Sequence, residues 1–253
     1  MPSIQEQYNK LIELAQTDES LKKHLSPEFG LDVERAFFDL RSRIYDISFK
    51  ANDCIADSLS KSDLALMEYR AAISYQGVLD SLLIDTDNDP NSVDTAARVA
   101  KMLMHEQFAG RYTKMPAVSS FPNTGENALD GLYVVGPISV KSACSHHHVP
   151  IEGEAWIGVF PGDKVIGLSK FSRVLSWVMR RPQIQEEATR QAARILMKIT
   201  GAKGLGVIVK AKHFCMCHRG VEEPNSFHTT SDMLGAMREN AALKQEFLEL
   251  IRL

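Results

Sequence analysis

Apolar positions recur at helical spacing through the first part of the chain. Ile4, Tyr8, Leu11, Ile12 and Ala15 form one stripe, Val33, Phe37, Leu40, Ile44 and Ile47 a second, and Leu64, Met67 and Ala71 a third. Ser26-Pro27 and Gly30 punctuate the first two segments. The pattern predicts a helical extension over residues 1–84 that packs on the main domain or on another subunit. Asp, Asn and Pro cluster in Asp85–Ser92 and mark a break. A further helix is expected from Val93 to Phe108, with Gly110 as its stop. Pro116–Asp130 is rich in Pro, Ser, Asn and Gly and reads as loop.

From Leu132 the period changes. Leu132–Ala143, Ile151–Phe160 and Gly204–Phe214 read as strands, by alternation or by β-branched content. Ser169–Arg181 and Gln183–Thr200 read as two helices parted at Pro182, and Ser231–Arg252 as a closing amphipathic helix. Residues 85–253 are therefore expected to form one α+β domain, antiparallel strands with segregated helices.

Composition narrows the function classes. The chain has 253 residues, 44% hydrophobic and 24% charged, which is ordinary for a globular protein. A formal net charge of -3 gives no general attraction for nucleic acid, so an anionic ligand would need a local basic cluster. No apolar run is long enough to span a membrane, and the polar start MPSIQEQYNK lacks the core of a signal peptide. A reducing, cytoplasmic setting is expected, where clustered Cys and His serve metal binding or catalysis more often than disulfides.

Two Cys/His clusters each end a predicted strand. In Cys144-Ser145-His146-His147-His148, the C-x-x-H spacing lets both ends of a tight turn face one ion. Thiolate and imidazole suit Zn²⁺, and a catalytic zinc typically keeps three protein ligands and one open position. Cys215 or Cys217, in His213-Phe214-Cys215-Met216-Cys217, is available as the third. Basic residues recur as Arg98 and Lys101, Lys170 and Arg173, and Arg219. Singly they are ordinary surface charges. Convergence near the metal would suit a polyphosphate. The helix start at Gln183-Ile184-Gln185-Glu186-Glu187 fits either dipole capping or a carboxylate that accepts from a guanine edge.

Five blocks together resemble the GTP cyclohydrolase I family: DTAARVAKMLMHEQFAG, CSHHHVPIEGEAWIGVFP, VIGLSKFSRVLSWVMRRPQIQEEATRQ, VIVKAKHFCMCHRGV and TTSDMLGAMREN. The likeness covers Leu82–Leu253. It implies a tunnelling fold, in which a four-stranded antiparallel sheet and helices from each subunit close into an oligomeric β-barrel. Two five-membered rings then stack into a homo-oligomeric decamer. It implies zinc ligands at Cys144, His147 and Cys215, catalytic histidines at His146 and His213, and a guanine-binding Glu186. Phosphate contacts fall on Ser169, Lys170, Arg173 and Arg219, with Arg98 and Lys101 supplied by a neighbouring subunit. Cys217 becomes a bystander.

The chain departs from the family pattern twice. Ser145 stands where the family has glutamate in C-E-H-H, and Thr95-Ala96-Ala97-Arg98 replaces T-P-H-R. The implied reaction is zinc-dependent hydrolysis of GTP at C8, with release of formate and formation of 7,8-dihydroneopterin triphosphate. One alternative is a purine- or pterin-binding relative that has lost or altered turnover, for which Ser145 argues. Another is the related nitrile reductase, which needs no zinc triad. A purely structural zinc protein would more often close its site with four ligands.

Overall fold

The structure, a computed structural model, describes residues 3–47, 49–126 and 128–252. Readings that touch Met1, Pro2, Ser48, Asn127 and Leu253 lie outside the described residues at those positions. Two compact units emerge, Met1–Thr113 and Lys114–Leu253.

In the N-terminal unit, α1 (Ile4–Thr17) opens with a capping box in which Ser3 and Glu6 satisfy each other's backbone N–H. A short α2 (Glu19–Lys22) and a small hairpin of β1 (Leu25–Ser26) and β2 (Gly30–Leu31) lead to α3 (Val33–Tyr45) and α4 (Lys61–Ser81). The first two expected stripes meet here, with Leu11, Ala15, Leu40 and Ile44 buried together; from α4 it is Leu66, outside the expected third stripe, that joins them, while Met67 is partly buried against the cluster. Ile47 falls outside α3 and is exposed. Helix α5 (Thr95–Met102) is shorter than the expected Val93–Phe108. One π-helical turn, Leu103–Gln107, and α6 (Ala109–Tyr112) follow it.

The C-terminal unit is α+β. Its elements are β3 (Ser120–Pro122), β4 (Tyr133–Cys144), β5 (Pro150–Phe160), β6 (Lys164–Ile166), α7 (Leu168–Met179), β7 (Pro182–Gln183) and α8 (Gln185–Thr200). Then come β8 (Gly204–His213), α9 (Phe214–Cys217), β9 (His228–Gly235), α10 (Ala236–Glu239) and α11 (Ala241–Leu250). The main sheet has the order β7-β4-β5-β8-β9. Its four long strands are antiparallel, and β7 adds a two-residue parallel pairing to β4. The sheet is therefore mixed rather than purely antiparallel.

Helices α7 and α8 lie on one face. Phe171, Val174, Leu175 and Val178 from α7, and Ala188, Ala192 and Leu196 from α8, pack on Val140, Ile157, Val207 and Val209. The spacing i, i+3, i+4, i+7 puts the α7 residues on one stripe, and burying a large aliphatic or aromatic side chain contributes about 1.5–3 kcal/mol. Gly201, at φ 60°, ends α8 in the left-handed conformation that suits glycine. Trp156, Ile208, Met233, Met237 and Phe247 form a separate buried cluster that includes α10 and α11.

Two expected elements change. The expected helix Ser231–Arg252 is instead the end of β9 followed by two helices, because Thr229–Gly235 pairs with Gly204–Lys210 and covers the outer edge of β8. Asn240 caps α11 by accepting from the N–H groups of Ala242 and Leu243. Helix α8 begins at Gln185 rather than Gln183, since Gln183 pairs with Cys144. Among the described residues no helix is long and apolar enough to cross a membrane.

Candidate metal and nucleotide site

The site gathers where four strand ends meet. Strand β4 ends on Cys144, and residues 145–149 turn into β5. His148 adopts φ 54°, and its N–H donates to the Cys144 carbonyl at 2.8 Å. The Cys144 N–H donates to Val149 O at 2.9 Å, which closes the turn and sets the first Cys/His cluster. Parallel pairing of Cys144 with Gln183, and the Ser145 N–H bond to Gln183 O at 3.0 Å, bring the start of α8 alongside. On the other side Ile151 pairs with His213, and Ala211 with His228.

Cys144, His147 and Cys215 place their ligand atoms within 4.8 Å of one another. Cys144 is buried, Cys215 intermediate and His147 exposed, an arrangement open on one side. Burial pushes the Cys215 thiol up, and the adjacent Cys144 thiol adds to the effect. A divalent cation would offset that effect on Cys215, since thiolate is the ligating form. Two thiol sulfurs and one imidazole nitrogen, with one side open, form a group that could hold a metal ion. Cys217 stands outside this group; its thiol donates to Ser226 O at 3.9 Å. His146 Nδ1 lies 3.8 Å from Cys144 Sγ.

Beside the donor group is a cleft of about 350 Å³, lined by His146, Gln185, Glu186, His213, Met216, Phe227 and His228 together with Cys144 and Cys215. Gln185, almost fully buried, anchors it. Its Nε2 faces Val209 O at 3.2 Å, His228 O at 3.0 Å and Thr230 Oγ1 at 3.1 Å. Two of these are carbonyl oxygens that can only accept, so this end of the amide is the NH₂. The other end, Oε1, then faces His213 Nε2 at 2.7 Å, and His213 must be the donor. His213 thus carries its proton on Nε2 when neutral, and Nδ1 is the nitrogen that exchanges. Burial, and then His228, lower the His213 pKa.

Glu186 opens α8 one residue later. The hydrogen bond from its own backbone N–H, with His228 adding to it, holds its carboxyl below the usual range. His228 Nε2 lies 3.1 Å from Glu186 Oε1. Arg219 Nη1 lies 3.2 Å from His147 Nε2, which ties the basic residue to the donor group.

The other basic residues are placed differently. Ser169, Lys170 and Arg173 occupy the first turns of α7 and are not among the residues lining the cleft. Lys170 Nζ donates to Ala117 O at 3.1 Å, and Arg173 is exposed. Arg98 and Lys101 lie in the N-terminal unit on α5. Arg98 Nη2 bonds Val93 O and Thr95 Oγ1 at the start of its own helix, while Lys101 is exposed. Gln185 and His228 were not singled out from sequence. Gln185 had one signal, its place beside Glu186 at a helix start. His228 had none, because the strand that presents it was not recognised.

Residues 74–252 match the family described as GTP cyclohydrolase I. The GTP cyclohydrolase 1 of Coxiella burnetii is 39% identical over 175 residues, covering 68% of this chain and 94% of that protein. That of Alkalilimnicola ehrlichii is 39% identical over 186 residues, 74% of this chain and 99% of its own. A protein named GTP cyclohydrolase 1 2 from Pseudomonas syringae is 38% identical over 179 residues, 71% and 97% of the two chains. The matched segment begins inside α4 and takes in every residue of the cleft. The chain belongs to the GTP cyclohydrolase I family.

Proposed function

We propose that this chain is a GTP cyclohydrolase I: it hydrolyses GTP at C8, releases formate and gives 7,8-dihydroneopterin triphosphate. The observation that supports it most is a Cys-His-Cys donor group beside a cleft lined by three histidines and a carboxylate. Cys144, His147 and Cys215 would hold zinc, whose Lewis acidity makes water a nucleophile near neutral pH.

The remaining work falls to the chain's own side chains. Glu186 accepts from N1–H and the exocyclic amine of guanine, a pair that adenine lacks. His213, held at Nε2 by Gln185, gives a proton from Nδ1 to purine N7 and so makes C8 electrophilic. A lowered pKa leaves its protonated form scarce but a stronger donor. His146, which lines the same cleft, is the second proton carrier. Water adds at C8, the C8–N9 bond opens to a formamide, and a second hydrolysis frees formate. Sugar rearrangement and ring closure complete the product. Lys170, Arg173 and Arg219, with Ser169, bind the triphosphate, assisted by Arg98 and Lys101 of a neighbouring copy.

The wider reading is a tunnelling fold in which residues 85–253 form the catalytic domain, residues 1–84 form a helical extension, and subunits assemble as a decamer of two pentameric rings. It takes the enzyme as cytoplasmic, which suits its four free cysteines. The decisive experiment incubates zinc-loaded protein with GTP and identifies products by mass. Formate with dihydroneopterin triphosphate supports the reading; bound but unchanged GTP would favour a relative without turnover.

A further inference from the structure

We propose that His228 is a positioning residue that aims the Glu186 carboxylate at the guanine edge, so that base selectivity depends on a side chain delivered by β9. The inference rests on the reading of Glu186 given above.

Glu186 is the second residue of α8, and its side chain is 56% exposed. A glutamate so placed samples many rotamers, and ordering it on ligand binding costs free energy. Among the described residues, His228 is the one side chain that hydrogen-bonds this carboxylate, Nε2 to Oε1 at 3.1 Å. His228 is itself well held. Its carbonyl accepts from Gln185 Nε2 at 3.0 Å, its backbone pairs with Ala211, and its ring meets His213 edge-on at 5.5 Å and 78°. A paired strand end thus adds a side-chain hold to a carboxylate otherwise engaged by its own backbone N–H. Each carboxylate oxygen has two acceptor sites, so with His228 and the residue's own backbone N–H engaged, two sites remain for a two-donor base edge. His228 touches the recognising group, not the reacting atoms.

The test compares wild type with His228→Ala and His228→Gln, all zinc-loaded, by formate release from GTP and from inosine triphosphate, which lacks the exocyclic amine. His228→Ala should raise KM for GTP by about fivefold, the upper range for an exposed charged pair, with a smaller change in kcat. The preference for GTP over inosine triphosphate should narrow similarly. His228→Gln, whose amide nitrogen reaches the same place, should restore both. His228→Asn, too short to reach, replaces the alanine variant if that one folds poorly. Wild-type KM and selectivity in His228→Ala, or a loss that His228→Gln does not repair, would overturn the inference while leaving the activity intact. A wild type that releases no formate sinks the cyclohydrolase reading, and this inference with it.

Discussion

Gln185 Oε1 and His213 Nε2 lie 2.7 Å apart, and the carbonyl oxygens of Val209 and His228 at the other end of the amide make the imidazole the donor. One buried amide therefore joins α8, β8 and β9 and also selects the tautomer of the histidine facing the cleft.

Gln185→Ala should affect both stability and rate. It strips a donor from two carbonyls and frees the His213 ring. Leaving buried groups unsatisfied costs about 1–3 kcal/mol each, so a loss of about 3 kcal/mol in chemical denaturation is expected. With zinc content matched, kcat should fall about tenfold or more, within the contribution of a positioned acid or base. A variant of undiminished kcat would show that the ring needs no such hold.

Zinc content separates the two neighbouring thiols. Cys215→Ser should empty the site, and Cys217→Ser should retain one zinc per chain, because Cys217 bonds Ser226 O and stands outside the donor group. Elemental analysis of the purified variants decides it. Equal loss in both would contradict the assignment. Chelation of the wild type should abolish formate release, and zinc should restore it.

Glu186→Gln tests guanine recognition. Replacing a charged acceptor should weaken GTP binding by about 1.5–3 kcal/mol. Calorimetry with a zinc-free protein measures binding without turnover. Unchanged affinity would reduce Glu186 to a helix-start residue that complements the dipole.

Triphosphate binding should be salt-sensitive. Guanosine should bind far more weakly than GTP, and raising ionic strength should shrink the difference, since exposed charges are screened within about 10 Å at 0.1 M salt. Arg219→Ala should narrow the same gap. Equal affinities for the two ligands would remove the basic cluster from the site.

The proposed assembly can be tested through the sheet. Among the described residues β9 pairs with β8 alone and presents an outer edge, which isolated proteins usually protect and closed barrels remove. Light scattering should report a large homo-oligomer, a decamer on the present reading. Mixing His213→Ala with Arg98→Ala subunits under exchange should recover part of the activity. No recovery despite proven exchange would place Arg98 outside a shared site.

The candidate donors were legible in sequence where they lie close together along the chain. Cys144 and His147 sit on one turn, and turn geometry is local, so their common facing could be read from spacing. The three long strands and the paired helices α7 and α8 were equally readable, the helices because each buries one face at the matching period, and β8, buried on both faces over most of its length, because of its β-branched content. The third donor was different. Spacing left Cys215 and Cys217 equivalent and the family resemblance favoured Cys215; the register of β8 against β5, with the turn of α9, brings Cys215 to the donor group and Cys217 to Ser226. Strand β9 was lost to the sequence because its regularity comes from pairing with β8, a contact between distant residues that no local period encodes. With it went His228, and with His228 the link between Glu186 and His213. Residue types and their local order named the chemistry. Tertiary structure decided which nitrogen of His213 is free and what holds Glu186, because hydrogen-bond partners are fixed by strand register, and register is a property of the folded sheet.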